Sequence, residues 1–142
     1  MGVGVVASLW SLRRDSKGIL LFHGLAEIPE AVRSGLNVQT HTAEVDQFVS
    51  LEQRTLWVQS AQTAGLSVEN YTYRGAGHFF TDANSADYCA AASELTWARA
   101  IDFLERLLNP LQDSQRRGWP MPRRFPSLSL NHAPFSPTPL LG

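Results

Sequence analysis

Apolar positions along this chain fall into runs whose spacing changes, and each change marks an element. Residues 2 to 13 are apolar nearly all round, as in a helix buried between a sheet and other elements, and Asp15-Ser-Lys-Gly18 breaks the run. Ile19-Leu-Leu-Phe22 is a continuous apolar stretch bounded by Gly18 and Gly24, the pattern of a central parallel strand covered on both faces. A loop with Pro29 and Gly35 follows, and Leu36 to Thr42 reads as a second strand. Ser50-Leu-Glu-Gln53 is a capping box opening a helix that runs to about Ala64 and stops at Gly65. Val68 to Tyr73 reads as a third strand. From about Tyr88 the positions Leu95, Trp97/Ala98, Ile101 and Leu104/Leu108 predict a long amphipathic helix, ended by Asn109-Pro110. Trp57 and Trp97 are expected in the core of their helices. The order helix, strand, strand, helix, strand, helix implies an α/β fold with a parallel sheet.

Charge and composition divide the chain in two. The net charge of -1 over 142 residues gives no general argument for nucleic acid. Residues 1 to 108 carry 8 Lys/Arg against 12 Asp/Glu, whereas residues 109 to 142 carry 4 against 1 and hold seven of the eight prolines. The expected organisation is a folded unit over 1–108 and a disordered Pro/Arg-rich tail over 109–142. Cys89 is alone, which points to a reducing compartment. The opening run Val3 to Trp10 has its charges, Arg13 and Arg14, behind it rather than ahead, unlike a signal peptide, and it is too short to span a bilayer. A cytoplasmic protein without a membrane partner is expected.

The chemistry concentrates in two segments. Tyr71-Thr-Tyr-Arg-Gly-Ala-Gly-His78-Phe-Phe-Thr-Asp82 alternates like a strand, breaks at two glycines and then presents one histidine on a loop, where an α/β sheet keeps a catalytic base. About thirty residues earlier, Leu36-Asn-Val-Gln-Thr-His-Thr ends in a polar loop with Asp46, an orienter for such a base, with Glu44 as its competitor. No Gly-x-Ser-x-Gly or Gly-x-Cys-x-Gly elbow occurs, so two triad members are visible and the nucleophile is not.

These residues resemble the C-terminal half of the dienelactone hydrolase family, which are α/β-hydrolases. The matching segments are Gly18-Ile-Leu-Leu-Phe-His-Gly24, Val38-Gln-Thr-His-Thr-Ala-Glu-Val-Asp46-Gln-Phe and Tyr73-Arg-Gly-Ala-Gly-His78-Phe-Phe-Thr-Asp82, followed by Asp87-Tyr and an Ala-rich helix start. The resemblance implies a partial α/β-hydrolase fold of about three parallel strands with flanking helices. It also implies hydrolysis of a small-molecule ester or lactone through an acyl-enzyme, with no metal and no organic cofactor. Asp46 would orient His78, and His78 would serve as the base, first toward the nucleophile and then toward water. Met1-Gly2 looks like the position just after the family's nucleophile, so the elbow would be missing before Met1 and the isolated chain inactive.

Other candidates have plainer readings. His23 and His41 end strands and tempt as metal ligands, but a third ligand at sensible spacing is lacking and strand-end packing is expected. Cys89 reads as a small packing residue. Pro134-Phe-Ser-Pro137 fits a minimal polyproline recognition pattern, and the arginine pairs flanking Trp119 are too few to argue for nucleic acid. The competing functional reading is an inactive relict or an interaction module using its Pro-rich tail.

Overall fold

The computed structural model describes residues 2–13 and 15–109. The expected Pro/Arg-rich tail from residue 110 onward, including Pro134-Phe-Ser-Pro137, lies outside them.

Six elements follow the expected order: α1 (Gly2–Leu12), β1 (Gly18–Phe22), β2 (Asn37–Ala43), α2 (Leu51–Thr63), β3 (Ser67–Tyr73) and α3 (Ala90–Leu108). The three strands form one parallel sheet in the order β1-β2-β3, with Phe22 opposite His41 and Ala43 opposite Tyr73. Parallel strands end together, so all three C-terminal ends lie on one edge of the sheet, where open α/β sheets place their sites.

The capping box opens α2 as expected. The Ser50 hydroxyl accepts from the Gln53 N–H and the Gln53 side chain accepts from the Ser50 N–H, satisfying two donors that the first turn would otherwise leave unpaired.

On one face of the sheet, Ile19, Leu21 and Val38 pack with Trp10 of α1, Ala61 of α2 and Leu36 and Leu66 of the loops. The Trp57 indole N–H donates to the Ala26 carbonyl at 2.6 Å and ties α2 to the long β1–β2 connection. On the other face, Ala43, Tyr73, Ala76 and Phe80 pack with Ala92 of α3, and Cys89 sits against this cluster in the packing role expected of it.

Three expectations change. Among the described residues the apolar run Ile19–Phe22 lies at the edge of the sheet, and the strand flanked on both sides is β2, whose residues 38–43 are all buried although four of them are polar. Burial of Gln39, Thr40, His41 and Thr42 is tolerated because each side chain has a hydrogen-bond partner. Helix α1 is not covered all round, since Val5, Leu9 and Leu12 are exposed. In α3 the buried side is Ala92, Ser93, Thr96, Ala100 and Phe103, while Leu95, Trp97, Ile101, Leu104 and Leu108 face outward. The sheet beneath carries bulky Phe22, Tyr71 and Tyr73, over which the helix lies with small residues, while the large Phe103 packs against Gly18 at the start of β1. Trp97, expected in the core, is half exposed and touches the sheet at its margin, with its ring 5.3 Å from that of Phe22.

Candidate functional site

His78 lies in the turn that follows β3, and Asp46 lies in the loop that follows β2. The neighbouring strands bring them together across 32 residues of sequence, with His78 Nδ1 2.8 Å from Asp46 Oδ2. The Asp46 side chain is fully buried and that of His78 retains 13% exposure. The other carboxylate oxygen, Oδ1, accepts from the Phe48 N–H at 2.8 Å and the Val49 N–H at 3.1 Å. Three hydrogen bonds thus fix the carboxylate, which compensates for its burial.

Glu44, the competing acid, is placed elsewhere. Its Oε2 accepts from the Gly75 N–H at 2.9 Å and so pins the tight turn leading to His78. That turn depends on its glycines: Gly75 has φ 69°, in the left-handed region, and a Cβ on Gly77 would come within 2.6 Å of the Asp87 carboxylate. Asp87 is held in turn by the Phe79 N–H. The buried Arg54 guanidinium reaches back from α2 to the carbonyls of Ala43 and Glu44, which closes the end of β2.

Aromatic rings surround the histidine. Phe48 and Phe79 stand edge-on to His78 at 4.6 and 4.5 Å between ring centroids, and both are exposed. Neither stands out in the sequence, although Phe79 follows the histidine directly. The His23 ring lies 5.8 Å away, and its Nε2 is 2.7 Å from Thr81 Oγ1. Burial lowers the His23 pKa below the ordinary histidine value, against an opposing pull from the His78 backbone.

His41 is remote from this chemistry. It is fully buried under α3, with Nδ1 on the Tyr73 hydroxyl and Nε2 on Gln39 Oε1, both at 2.8 Å, and its ring is stacked on Phe22. Burial and the nearby Arg99 push its pKa down to about 4. Gln39 continues the network to Glu69, which Arg106 grips with both arms of its guanidinium. His23, just past β1, and His41, which lies inside β2 and not at its end as expected, therefore have packing partners, and among the described residues no group of three or more His, Cys, Asp or Glu could hold a metal ion. Nor is any described helix long and apolar enough to cross a membrane. Among the described residues, two cavities along α1 include neither Asp46 nor His78 in their walls.

The fold has counterparts among known proteins. Among solved structures, the chain is similar to a candidate dienelactone hydrolase from Klebsiella pneumoniae subsp. pneumoniae MGH 78578, at 15% identity and a TM-score of 0.52, over 66% of this chain and 45% of that one. It is also similar to esterase 2 of Thermogutta terrifontis, solved phosphorylated by paraoxon, at 24% identity and a TM-score of 0.46, over 63% of this chain and 39% of that one. The chain thus spans less than half the length of either. A search of curated proteins found no match. The first likeness is one of fold, three parallel strands with flanking helices matched to part of a longer chain. The sequence profile of one family covers residues 1–108, which take in the whole sheet and both loops at its C-terminal edge: the chain belongs to the dienelactone hydrolase family.

Proposed function

We propose that Asp46 and His78 are the acid and base of a nucleophile–His–Asp triad hydrolysing small carboxylic esters or lactones, and that the nucleophile comes from outside residues 2–109. The observation that carries this reading is the 2.8 Å contact between His78 Nδ1 and a buried carboxylate already fixed by two backbone N–H groups. With Asp46 ionised, Nδ1 holds the ring proton and Nε2 is the nitrogen free to accept one.

The steps follow from that tautomer. A hydroxyl or thiol attacks the acyl carbon while its proton passes to Nε2, and Asp46 stabilises the imidazolium. The imidazolium returns the proton to the leaving alcohol. Water, deprotonated by Nε2, then releases the acid from the acyl-enzyme.

The described hydroxyls with assigned partners are engaged elsewhere. Thr81 is bonded to His23, and Ser8, on α1, donates to the Gly4 carbonyl. This chain covers 45% of the Klebsiella protein, so more than half of that protein's length has no counterpart here.

The test joins such a half to this chain and follows p-nitrophenyl acetate hydrolysis. The chain alone should match the buffer rate, the fusion should exceed it, and His78→Ala should remove the gain by orders of magnitude. Turnover by the chain alone that His78→Ala abolishes would place the nucleophile within residues 1–142 and refute its supply by a separate family half.

A further inference from the structure

His23 is the one non-glycine residue with positive φ among the described residues, at 61°. Left-handed backbone is costly for any residue with a Cβ, and such conformations persist where surrounding structure enforces them. Gly24, the next residue, would adopt it freely, yet the chain turns at the histidine. The His23 N–H still donates to the His41 carbonyl at 2.9 Å, continuing the β1–β2 ladder, so the turn begins after the strand is anchored.

The ring that this turn redirects meets the segment carrying His78. Its Nε2 lies 2.7 Å from Thr81 Oγ1, and its ring makes a T-shaped contact with that of Phe80, itself fully buried, at 4.9 Å between centroids. Its Nδ1 is buried without a hydrogen-bond partner. The ring therefore touches residues 80 and 81 of a turn whose first residue is His78.

We propose that His23 is a positioning residue for His78: its imidazole ties the Thr81 hydroxyl to the end of β1 and so holds the turn 78–81 in the register that keeps His78 Nδ1 on Asp46. The proposal rests on the reading of the Asp46–His78 pair given above. Burial lowers the His23 pKa, which fits the role, because a second imidazolium 5.8 Å from His78 would oppose the charge His78 must accept during catalysis.

The experiment uses the full chain, labelled with ¹⁵N-histidine, and reads the low-field His78 Nδ1–H proton and its solvent-exchange rate by NMR. His78→Gln assigns the signal and Asp46→Asn reports its dependence on the carboxylate. His23→Gly accepts the left-handed backbone but removes the ring, and Thr81→Val keeps the ring but removes its partner. Each should speed exchange of the His78 proton roughly five- to tenfold, the loss expected for one net hydrogen bond. A purely structural role would lower the melting midpoint and leave that rate unchanged. Wild-type exchange rates in both variants would overturn the role of His23, and Thr81→Val alone decides if His23→Gly fails to fold. Absence of the low-field signal in the wild type, or indifference to Asp46→Asn, would overturn the acid–base pairing and the proposal with it.

Discussion

Glu44 and Asp46 stand two residues apart on one loop and hold different parts of the same turn. Glu44 accepts the Gly75 N–H at 2.9 Å, and Asp46 meets the His78 ring at 2.8 Å. One carboxylate fixes backbone and the other fixes the imidazole.

That division gives opposite outcomes for two isosteric changes in the fusion protein. Glu44→Gln keeps an oxygen acceptor for Gly75 and should leave kcat/KM within about twofold, since an exposed polar change of this kind costs about 0.5 kcal/mol or less. Asp46→Asn keeps an acceptor for Phe48 and Val49 but can turn an N–H toward His78 Nδ1, which favours the wrong tautomer and should cost roughly 10²- to 10⁴-fold in kcat. Steady-state kinetics of the two variants checks the assignment, and the reverse ranking would make Glu44 the acid.

Much of this arrangement is legible in the amino-acid sequence, because the signals are local and redundant. Gly75 and Gly77 ahead of His78, and the polar loop after the Leu36 run, mark strand exits by backbone chemistry alone. Ser50 and Gln53 mark the start of α2 in the same way. The choice between Glu44 and Asp46 stays open in the sequence because both lie within reach of the turn, and only the exit angle of β2 separates them. The inward face of α3 runs against its apolar pattern: large apolar residues at helical spacing look like a core face, but the aromatic residues of the sheet select Ala92, Thr96 and Ala100 for close approach. No sequence signal marks His23 as the left-handed residue, since a glycine follows it and tertiary contacts decide which of the two turns.

The outward stripe on α3 has a measurable consequence. Trp97, Ile101, Leu104 and Leu108 are each at least 45% exposed, and among the described residues β1 occupies a sheet edge. Concentration-dependent association should appear in sedimentation velocity. Ile101→Glu with Leu108→Glu should reduce it and shift the denaturation midpoint by an amount equivalent to about 0.5 kcal/mol or less per site. A large loss of stability would show that the stripe packs within the fold.

His41 makes stability depend on pH. Its folded pKa is about 4 against 6.5 for the ordinary residue, so between these values the unfolded chain binds more protons and stability falls as pH drops from 6.5 to about 4. The full effect is on the order of 3 kcal/mol, reached near pH 4 and absent above 6.5. Urea titrations across this range should show the midpoint falling with acid in the wild type. His41→Phe should be less stable at neutral pH, because Gln39 and Tyr73 lose a partner, but its midpoint should fall less steeply. Equal slopes in the two proteins would assign the acid sensitivity to other groups.

The two glycines before His78 are constrained for different reasons, and alanine separates them. At Gly75 the space around a Cβ is open and only the backbone angle, φ 69°, opposes a side chain. Gly75→Ala should therefore cost about 1–2 kcal/mol, the penalty of a left-handed alanine, and leave the His78–Asp46 contact in place because the turn keeps its shape. At Gly77 the backbone is ordinary, but a Cβ would lie 2.6 Å from the Asp87 carboxylate that receives the Phe79 N–H. Relief requires Asp87 to withdraw and release the backbone one residue past His78. Gly77→Ala should cost about 1–3 kcal/mol and also perturb the His78 ring signals in a ¹⁵N-histidine spectrum, which Gly75→Ala should leave near their wild-type positions. Asp87→Ala opens the space that the alanine methyl needs, so adding it to Gly77→Ala should bring no further loss beyond that of Asp87→Ala alone. Additive losses in the double mutant would show that Gly77 is required for something other than its distance from Asp87.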